Sequence, residues 1–465
     1  MLLAVGASAQ QYRTSYFMEG STVRGYLNPA FRSDRGYVYI PVIGTTSLNF
    51  NSNALALNTI FYPTQDGHLV SIFDDAVTWD MIESNLKKQN TIGIDLHTAL
   101  LGTGFHVGRG FVTLEFGLDV DGGIGLPKSF IEFVKLGSQS SVGMYDMGGF
   151  MGGTDICMNM SLGYSHQIND NLTVGARVNF KGGIARINMN YDRLNVSLNG
   201  DRWAVDAAGT VEVCLDGAAS QVAVDEQGYI DFDNFDFGNM ISGVRGFAGF
   251  GMTFDLGAEY ILMERIKLSA AILNLGFMNW SAENTVRGVS EASYEFTGLV
   301  YDYNPVTGEW DNISGEASFD FSDFAKFRKA DGKARSRVYP GFVLGAEYDV
   351  FGNNLFGAGA VFTHNRNEYG KRTELALAAT VRPTRWFTAS LNWTLGNFKN
   401  IGDNFFNSFG FALNFHPSWV NFFVGADYLM FKFNPQGIPV GQKVFNVNVG
   451  LSIPIGKSHC RGDYD

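Results

Sequence analysis

The feature that most constrains this chain is a strict alternation of apolar and small polar residues. From Phe387 onward the segment FTASLNWTL places Phe, Ala, Leu, Trp and Leu on one face and Thr, Ser, Asn and Thr on the other. Segments 111–121, 172–181, 247–260 and 445–455 repeat this pattern. A period of two residues is that of an extended strand, whose successive side chains point to opposite faces. The chain is therefore predicted to be built from β-strands.

The composition of the two faces predicts what surrounds these strands. The polar face carries Gly, Asn, Ser and Thr rather than the Lys and Glu of a sheet in water, and the apolar face is nearly free of charge. Charged residues make up 17% of the chain, below the usual quarter or so. Lipid outside and a crowded polar lumen inside explain both faces together. The predicted fold class is all-β, a transmembrane antiparallel β-barrel.

The sequence predicts fourteen barrel strands. The connections after strands 2, 4, 6, 8, 10 and 12 are very short turns, such as GRG at 108–110 and MER at 263–265. The connections after strands 1, 3, 5 and 7 run to tens of residues. Short periplasmic turns opposite long extracellular loops are typical of outer-membrane barrels. The predicted strands are 36–50, 93–107, 111–126, 153–166, 171–190, 246–262, 266–281, 337–351, 355–367, 371–383, 386–398, 404–416, 419–433 and 441–455.

The remaining parts of the chain follow from this count. Residues 1–9 read as the remnant of a signal peptide that ends in Ala-Ser-Ala. Residues 10–35 form an N-terminal periplasmic or plug segment, 36–455 the outer-membrane barrel, and 456–465 a periplasmic tail. The long loops are predicted to carry short helices, among them one within LPKSFIEFVKLG at 126–137.

Several classes of function are disfavoured. The net charge of −12 argues against a nucleic-acid partner. The three cysteines show neither a metal-ligand spacing nor a disulfide framework. The chain has no Gly-x-Ser-x-Gly, its seven histidines are scattered, and Gly456-Lys457-Ser458 lacks the glycine spacing of a phosphate-binding loop. We therefore predict no metal site, no cofactor and no enzymatic activity.

Charged residues recur on the face predicted to line the lumen. Such charges can pair across a barrel and hold a segment inside it. The candidates are Glu115, Asp119, Arg177, Lys181, Asp255, Glu259, Glu347 and Glu374.

A short motif precedes the first strand, Tyr26-Leu27-Asn28-Pro29-Ala30-Phe31. With LPKSFIEFVKLG, MTFDLGAEY (252–260) and ILNLGFMNW (272–280) in this order, it resembles the FadL-like outer-membrane proteins. These include transporters of hydrophobic compounds and PorV-type barrels that serve type IX secretion. The three longer stretches resemble one branch of the group, a largely uncharacterised family from Bacteroidota. The resemblance implies an N-terminal plug in which Asn28 and Pro29 take part. Read from the residues alone, Asn-Pro can also be an ordinary turn.

The resemblance implies a passive transporter of a hydrophobic or amphiphilic small molecule in the outer membrane. Its candidate pocket is the apolar side of the predicted loop helix, Phe130, Ile131, Phe133 and Val134. The alternative is a non-transporting accessory barrel that docks another envelope protein, in type IX secretion or outer-membrane assembly. The predicted partners are accordingly outer-membrane lipid, a hydrophobic small molecule, or an envelope protein.

Overall fold

A computed structural model describes residues 13–458, apart from 42, 65, 67, 138–142, 200–201, 219–221, 232–244, 297–300, 305–308, 313–325, 368, 400–403 and 430–443. The predicted signal peptide remnant at 1–9 lies outside the described residues. So does most of the predicted tail, from residue 459 onward.

Strands dominate the described part of the chain. In chain order they are β1 Gly36–Tyr39, β2 Thr45–Ser52, β3 Phe61–Pro63, β4 Leu69–Ser71, β5 Gln89–Val107, β6 Gly110–Pro127, β7 Met144–Asp146, β8 Met151–Gln167, β9 Leu172–Asn199, β10 Arg202–Leu215, β11 Gly249–Leu262, β12 Ile266–Trp280, β13 Thr285–Phe296, β14 Tyr301–Asn304, β15 Glu309–Asn312, β16 Arg328–Ala330, β17 Arg335–Ser336, β18 Gly341–Asp349, β19 Phe356–Asn367, β20 Gly370–Thr384, β21 Phe387–Lys399, β22 Asn404–Phe415, β23 Asn421–Asp427 and β24 Val444–Ile455.

The wall is a closed antiparallel barrel of fourteen strands, as predicted. β1 and β2 together form the first barrel strand, which pairs with β5 on one side and with β24 on the other. The others follow in order: β5, β6, β8, β9, β11, β12, β18 with β17, β19, β20, β21, β22, β23 and β24. Pairing of the last strand with the first leaves the barrel wall without an open edge.

The connections alternate in length, as the sequence predicted. One end of the barrel carries the short turns 108–109, 168–171, 263–265, 350–355, 385–386 and 416–420. The other end carries the long connections 53–88, 128–150, 200–248 and 281–334. The predicted extension of the thirteenth strand to residue 433 runs past the described part of β23.

Strand β9 is longer than predicted. It was expected to end near residue 190 but continues to Asn199. The lower part of β9, on the side of the short turns, pairs with β11 up to Gly183. The upper part, on the side of the long connections, pairs with β10 from Ala185 onward. Because β11 begins only at Gly249, the upper edge of β9 would otherwise be unpaired, and β10 supplies its hydrogen bonds. β7, β10, β13 and β16 complete a small sheet above the barrel.

The two faces of the wall differ as the alternation requires. Leu391 is 66% exposed and Leu256 49%, whereas Asn392, next to Leu391, is 3% exposed and Thr253 0%. Large apolar side chains thus cover the outside, and polar side chains are enclosed. Trp386 and Trp419 are exposed beside two of the short turns, where an aromatic belt at a membrane interface is expected.

Helices are short. α1 is Leu57–Ile60, α2 Trp79–Glu83 and α3 Lys128–Leu136, and 3-10 helices cover Arg13–Phe17, Thr22–Tyr26 and Ala282–Asn284. In the described part of the chain, no helix is both long enough and apolar enough to cross a membrane. The α3 helix lies where the sequence placed it, and it packs between two apolar clusters at the end of the barrel that carries the long connections.

Candidate functional site

The segment that precedes the barrel lies within its lumen. Residues 13–31, which we call the inner segment, are almost entirely buried. Tyr16, Phe17 and Leu27 pack in one cluster with residues of the barrel wall such as Val343 and Phe423. This apolar contact joins the inner segment to the wall on the side of β18–β23.

The Asn-Pro turn of the inner segment contacts the wall at two glycines. The Asn28 side-chain amide donates to the backbone oxygens of Ala258 (3.0 Å) and Ala270 (3.3 Å). A methyl group added at Gly257 would overlap Asn28, and one at Gly175 would overlap the Pro29 carbonyl. Because glycine has no Cβ, the turn can lie directly against β9 and β11. The structure thus places Asn28 and Pro29 at the wall; their role in a plug stays a prediction.

Ion pairs hold the inner segment to carboxylates that the sequence assigned to the lumen. Arg13 Nη1 lies 2.5 Å from Glu374 Oε2, and both side chains are at most 2% exposed. Arg24 Nη2 lies 2.5 Å from Glu347 Oε1, and the Tyr26 hydroxyl donates to Glu115. Burial alone would lower the pKa of Arg13, but Glu374, Tyr428 and Asp427 together outweigh it and the pKa is raised.

The remaining predicted charges lie on the opposite wall. Lys181 Nζ lies 3.0 Å from Asp119 Oδ2, and Arg177 Nε lies 2.8 Å from Asp255 Oδ2. Glu259 is half-buried on the same face of β11 as Asp255. The structure therefore places the eight predicted residues on the lumen face. The inner segment is contacted by Glu115, Glu347 and Glu374, and two pairs form on the wall itself, Lys181–Asp119 and Arg177–Asp255.

The sequence prediction missed His97. Its Nδ1 lies 2.7 Å from Asp119 Oδ1, and its ring meets Tyr26 edge-on with centroids 5.2 Å apart. The alternation of β5 carries the signal that could have found it, because Asp95 and His97 occupy the polar positions of that strand.

Three cavities lie along the wall formed by β5, β6, β8 and β9, and the inner segment lines two of them. The upper cavity, with an empty volume of about 390 Å³, is lined by Asp95, Asp121, Asp155, Arg186 and Tyr369 among others. The middle cavity, about 710 Å³, includes Asp95, His97, Asp119, Asp121, Asn159 and Lys181. The lower cavity, about 470 Å³, includes Phe31, Tyr37, Tyr39, Phe111 and Glu115.

Shared residues show that the three cavities adjoin. Asp95 and Asp121 line both the upper and the middle cavity. Tyr26, Ser161 and Arg177 line both the middle and the lower cavity. The three spaces therefore follow one another down the wall, and Tyr26, which contacts Glu115, stands between the middle and the lower cavity.

The predicted ligand-pocket residues lie elsewhere. Ile131 is 2% exposed and packs among loop residues such as Leu55 and Ile72. Phe130 and Phe133 meet aromatic rings of the neighbouring loop, and Val134 is 48% exposed. These side chains pack the loops above the barrel, and a role in ligand binding stays a prediction.

A closed fourteen-stranded barrel with an apolar exterior, a charged lumen and an N-terminal segment folded inside defines a multi-pass β-barrel of the outer membrane. The chain belongs to the Family of unknown function (DUF5723), whose model matches residues 29–427. No relative was found among curated proteins.

Among solved structures, the chain is similar to the P. putida toluene transporter TodX, with 10% identity over 98% of this chain and 99% of that one, at a TM-score of 0.42. It is also similar to a Pseudomonas aeruginosa FadL homologue, with 11% identity over 99% and 100% of the two chains, at a TM-score of 0.44. The Ralstonia pickettii toluene transporter TbuX shows 9% identity over 97% and 95%, at a TM-score of 0.39.

Proposed function

We propose that this protein is a passive transporter of a hydrophobic or amphiphilic small molecule across the outer membrane. The observation that carries the proposal is the path of three adjoining cavities along the β5–β6–β8–β9 wall. Ligand sites are typically concave and carry a few convergent polar groups that fix the orientation of the ligand. The proposal contains no catalytic step.

The chemistry of the path changes from top to bottom. The upper and middle cavities are lined mainly by charged and amide side chains, whereas aromatic rings such as Tyr37, Tyr39 and Phe111 line much of the lower cavity. Each end therefore suits a different part of the same molecule, the polar group above and the apolar group below. This change favours an amphiphile over a pure hydrocarbon.

Tyr26 is the residue that passage must displace. Its hydroxyl donates to Glu115, and the Arg177 guanidinium lies 5.6 Å from its ring centroid. Glu115 and Arg177 belong to the barrel wall, whereas Tyr26 belongs to the inner segment. A small shift of the segment would therefore move the ring and join the middle and lower cavities.

Flux into proteoliposomes tests the proposal. The full chain is reconstituted, and entry of a panel of alkanes, alcohols and amines is timed. Tyr26→Ala removes the side chain between two cavities and should speed the entry of transported compounds several-fold. Tyr62→Ala, a matched loss of a tyrosine from the β3–β4 hairpin, should leave the rate unchanged. No flux above empty liposomes for any compound, with wild type and Tyr26→Ala alike, would refute transport.

The sheet above the barrel favours a second candidate, an accessory barrel that docks another envelope protein. β10 pairs with both β9 and β13 well beyond the wall, and the neighbouring loop exposes Phe61, Phe73 and Met81. Exposed apolar side chains grouped in one loop region are typical of interaction surfaces. Capture of the intact chain from its own outer membrane should then yield a second protein in a stoichiometric amount. Phe73→Asp should abolish its capture, and the control Val134→Asp should not. Recovery of the chain alone would count against this role.

A further inference from the structure

The outer face of the barrel changes in three steps along β19, β20 and β21, toward the end that carries the long connections. Residues of the three strands stand in register as rows that are first apolar, then neutral and polar, then basic. The apolar row is Phe362, Leu375 and Leu395, the neutral row His364, Thr373 and Asn397, and the basic row Arg366, Lys371 and Lys399. Leu375 and Leu395 are 41% and 39% exposed, so this face is the outer one. Such a change from apolar to charged residues is typical of the level at which a wall leaves the membrane.

Two cations of the basic row, Arg366 and Lys371, lie directly opposite each other. Arg366 is exposed and Lys371 half-buried, and neither forms an ion pair within the described ranges. Like charges directly opposite each other in a sheet are destabilising. Arg366 Cζ lies 4.6 Å from the centroid of the Tyr339 ring, and stacking on a ring leaves the N–H groups at the edge of the guanidinium for an acceptor. The two side chains therefore suit an anion bound between their strands.

Two further cations extend this surface over β17. Lys333 and Arg335 are exposed, and Arg335 lies opposite Asn279 near the end of β12. Ala334 and Ser336 are only 1% and 2% exposed, so alternation places Lys333 and Arg335 on the outer face. In the part of the chain that the structure describes, neither cation forms an ion pair. The chain as a whole has a net charge of −12, so these cations reverse the sign of the charge locally.

The surface below these cations is apolar. On β18, Phe342 is 41% and Leu344 52% exposed, and on β20 Leu377 is 45% exposed. Among the described residues on the outer face of β18, β19 and β20, none is a carboxylate. An occupant that carries both an anionic group and a hydrocarbon chain would therefore contact cations above and apolar side chains below.

We propose that the basic strip, defined as Lys333, Arg335, Arg366 and Lys371, binds the phosphate groups of lipids in the outer leaflet. In outer-membrane barrels the long connections face the exterior, so the strip lies at the outer surface of the membrane. A phosphate monoester carries about two negative charges and several acceptor oxygens, which fits an Arg and a Lys side by side. The strip lies on the outside of the wall and the three cavities lie inside it, so this inference is independent of transport.

Native mass spectrometry of the intact, detergent-solubilised chain tests the assignment. Dioleoyl phosphatidic acid, dioleoyl phosphatidylcholine and inorganic phosphate are titrated in turn. The two lipids share their acyl chains, but choline cancels the charge of the second head group. Phosphatidic acid should bind at least about tenfold more tightly than phosphatidylcholine; tenfold corresponds to about 1.4 kcal/mol. Inorganic phosphate at equal concentration should not displace phosphatidic acid, because it makes no contact with the apolar surface. Equal binding of both lipids, or displacement by inorganic phosphate, would overturn the assignment.

Two variants and a control locate the site. Arg366→Gln and Lys371→Gln should each weaken binding of phosphatidic acid about fivefold and leave phosphatidylcholine unaffected; fivefold corresponds to about 1 kcal/mol for each cation near an anionic membrane surface. Arg109→Gln removes an exposed cation from a short turn at the opposite end of the barrel and should bind as wild type does. Unchanged binding in the double variant would overturn the assignment. So would an equal loss in Arg109→Gln, because it would indicate attraction without a defined site.

Discussion

Glu374→Gln should release the inner segment while leaving the barrel closed. Glu374 Oε2 lies 2.5 Å from Arg13 Nη1 and 3.4 Å from Arg372 Nε. Glu374 also accepts from the Tyr428 hydroxyl at 2.5 Å, and its side chain is 1% exposed. Removing one partner of a buried ion pair costs about 3–5 kcal/mol, because an uncompensated buried charge remains. When the segment leaves the lumen, Arg13 reaches water and escapes that cost.

The increase in the released fraction follows from the cost at Arg13, which is present in the docked state and absent in the released state. Arg372 stays on the wall in both states, so only the cost at Arg13 favours release, and we take the lower figure of about 3 kcal/mol. At about 1.4 kcal/mol per factor of ten, the released fraction should rise roughly 10²-fold. Arg13→Met should have a smaller effect, because Glu374 keeps Arg372 and Tyr428 as partners.

Amide hydrogen exchange measures the release directly. Peptides from residues 13–31 should exchange roughly 10²-fold faster in Glu374→Gln, while peptides of the barrel strands keep their protection. Glu83→Gln breaks the Lys128–Glu83 pair, whose side chains are 33% and 48% exposed, and should leave the segment unchanged because exposed pairs contribute little. Exchange within threefold of wild type, or an equal loss of protection throughout the barrel, would refute the reasoning.

Three further predictions test other contacts. Gly257→Ala places a methyl group against the Asn-Pro turn and should speed exchange of the inner segment, whereas Gly25→Ala, with no atom nearby, should not. Leu391→Arg puts a charge on the exposed apolar face and should cost about 2–4 kcal/mol if that face meets lipid, seen as a lower urea midpoint in vesicles; Val134→Arg should change it by less than about 0.5 kcal/mol. Burial lowers the pKa of His416 in a short turn, so protonation of this imidazole is less favourable in the folded chain than in the unfolded one. The contribution of the neutral imidazole to stability is therefore complete above about pH 6.5 and is lost as the pH falls. The urea midpoint should fall less in His416→Asn than in wild type between pH 7 and 5, and an equal fall would contradict this.

The barrel was predictable because two residues per period fix the face of every side chain. Once a strand is recognised, a slip of one residue would turn its apolar face inward, so the alternation also sets which charges line the lumen. That is why Glu115, Asp119 and Asp255 could be assigned without any knowledge of their partners. The short turns then gave the strand count.

The partners themselves could not be predicted. Thr14 and Asp427 lie 413 positions apart, and no local pattern encodes such a contact. The apolar pattern of α3 predicted a pocket-lining role for Ile131, but not that loop residues such as Leu55 and Ile72 would pack against it.

The position of the inner segment has a consequence for assembly. This segment is synthesised before the barrel strands, yet its anchors Arg13 and Thr14 meet Glu374 and Asp427, which lie in β20 and β23. Contacts between such distant positions are slow to form, because a long intervening chain must be ordered. Docking of Arg13 and Thr14 is therefore complete only in a molecule whose strands β20 and β23 are already in place.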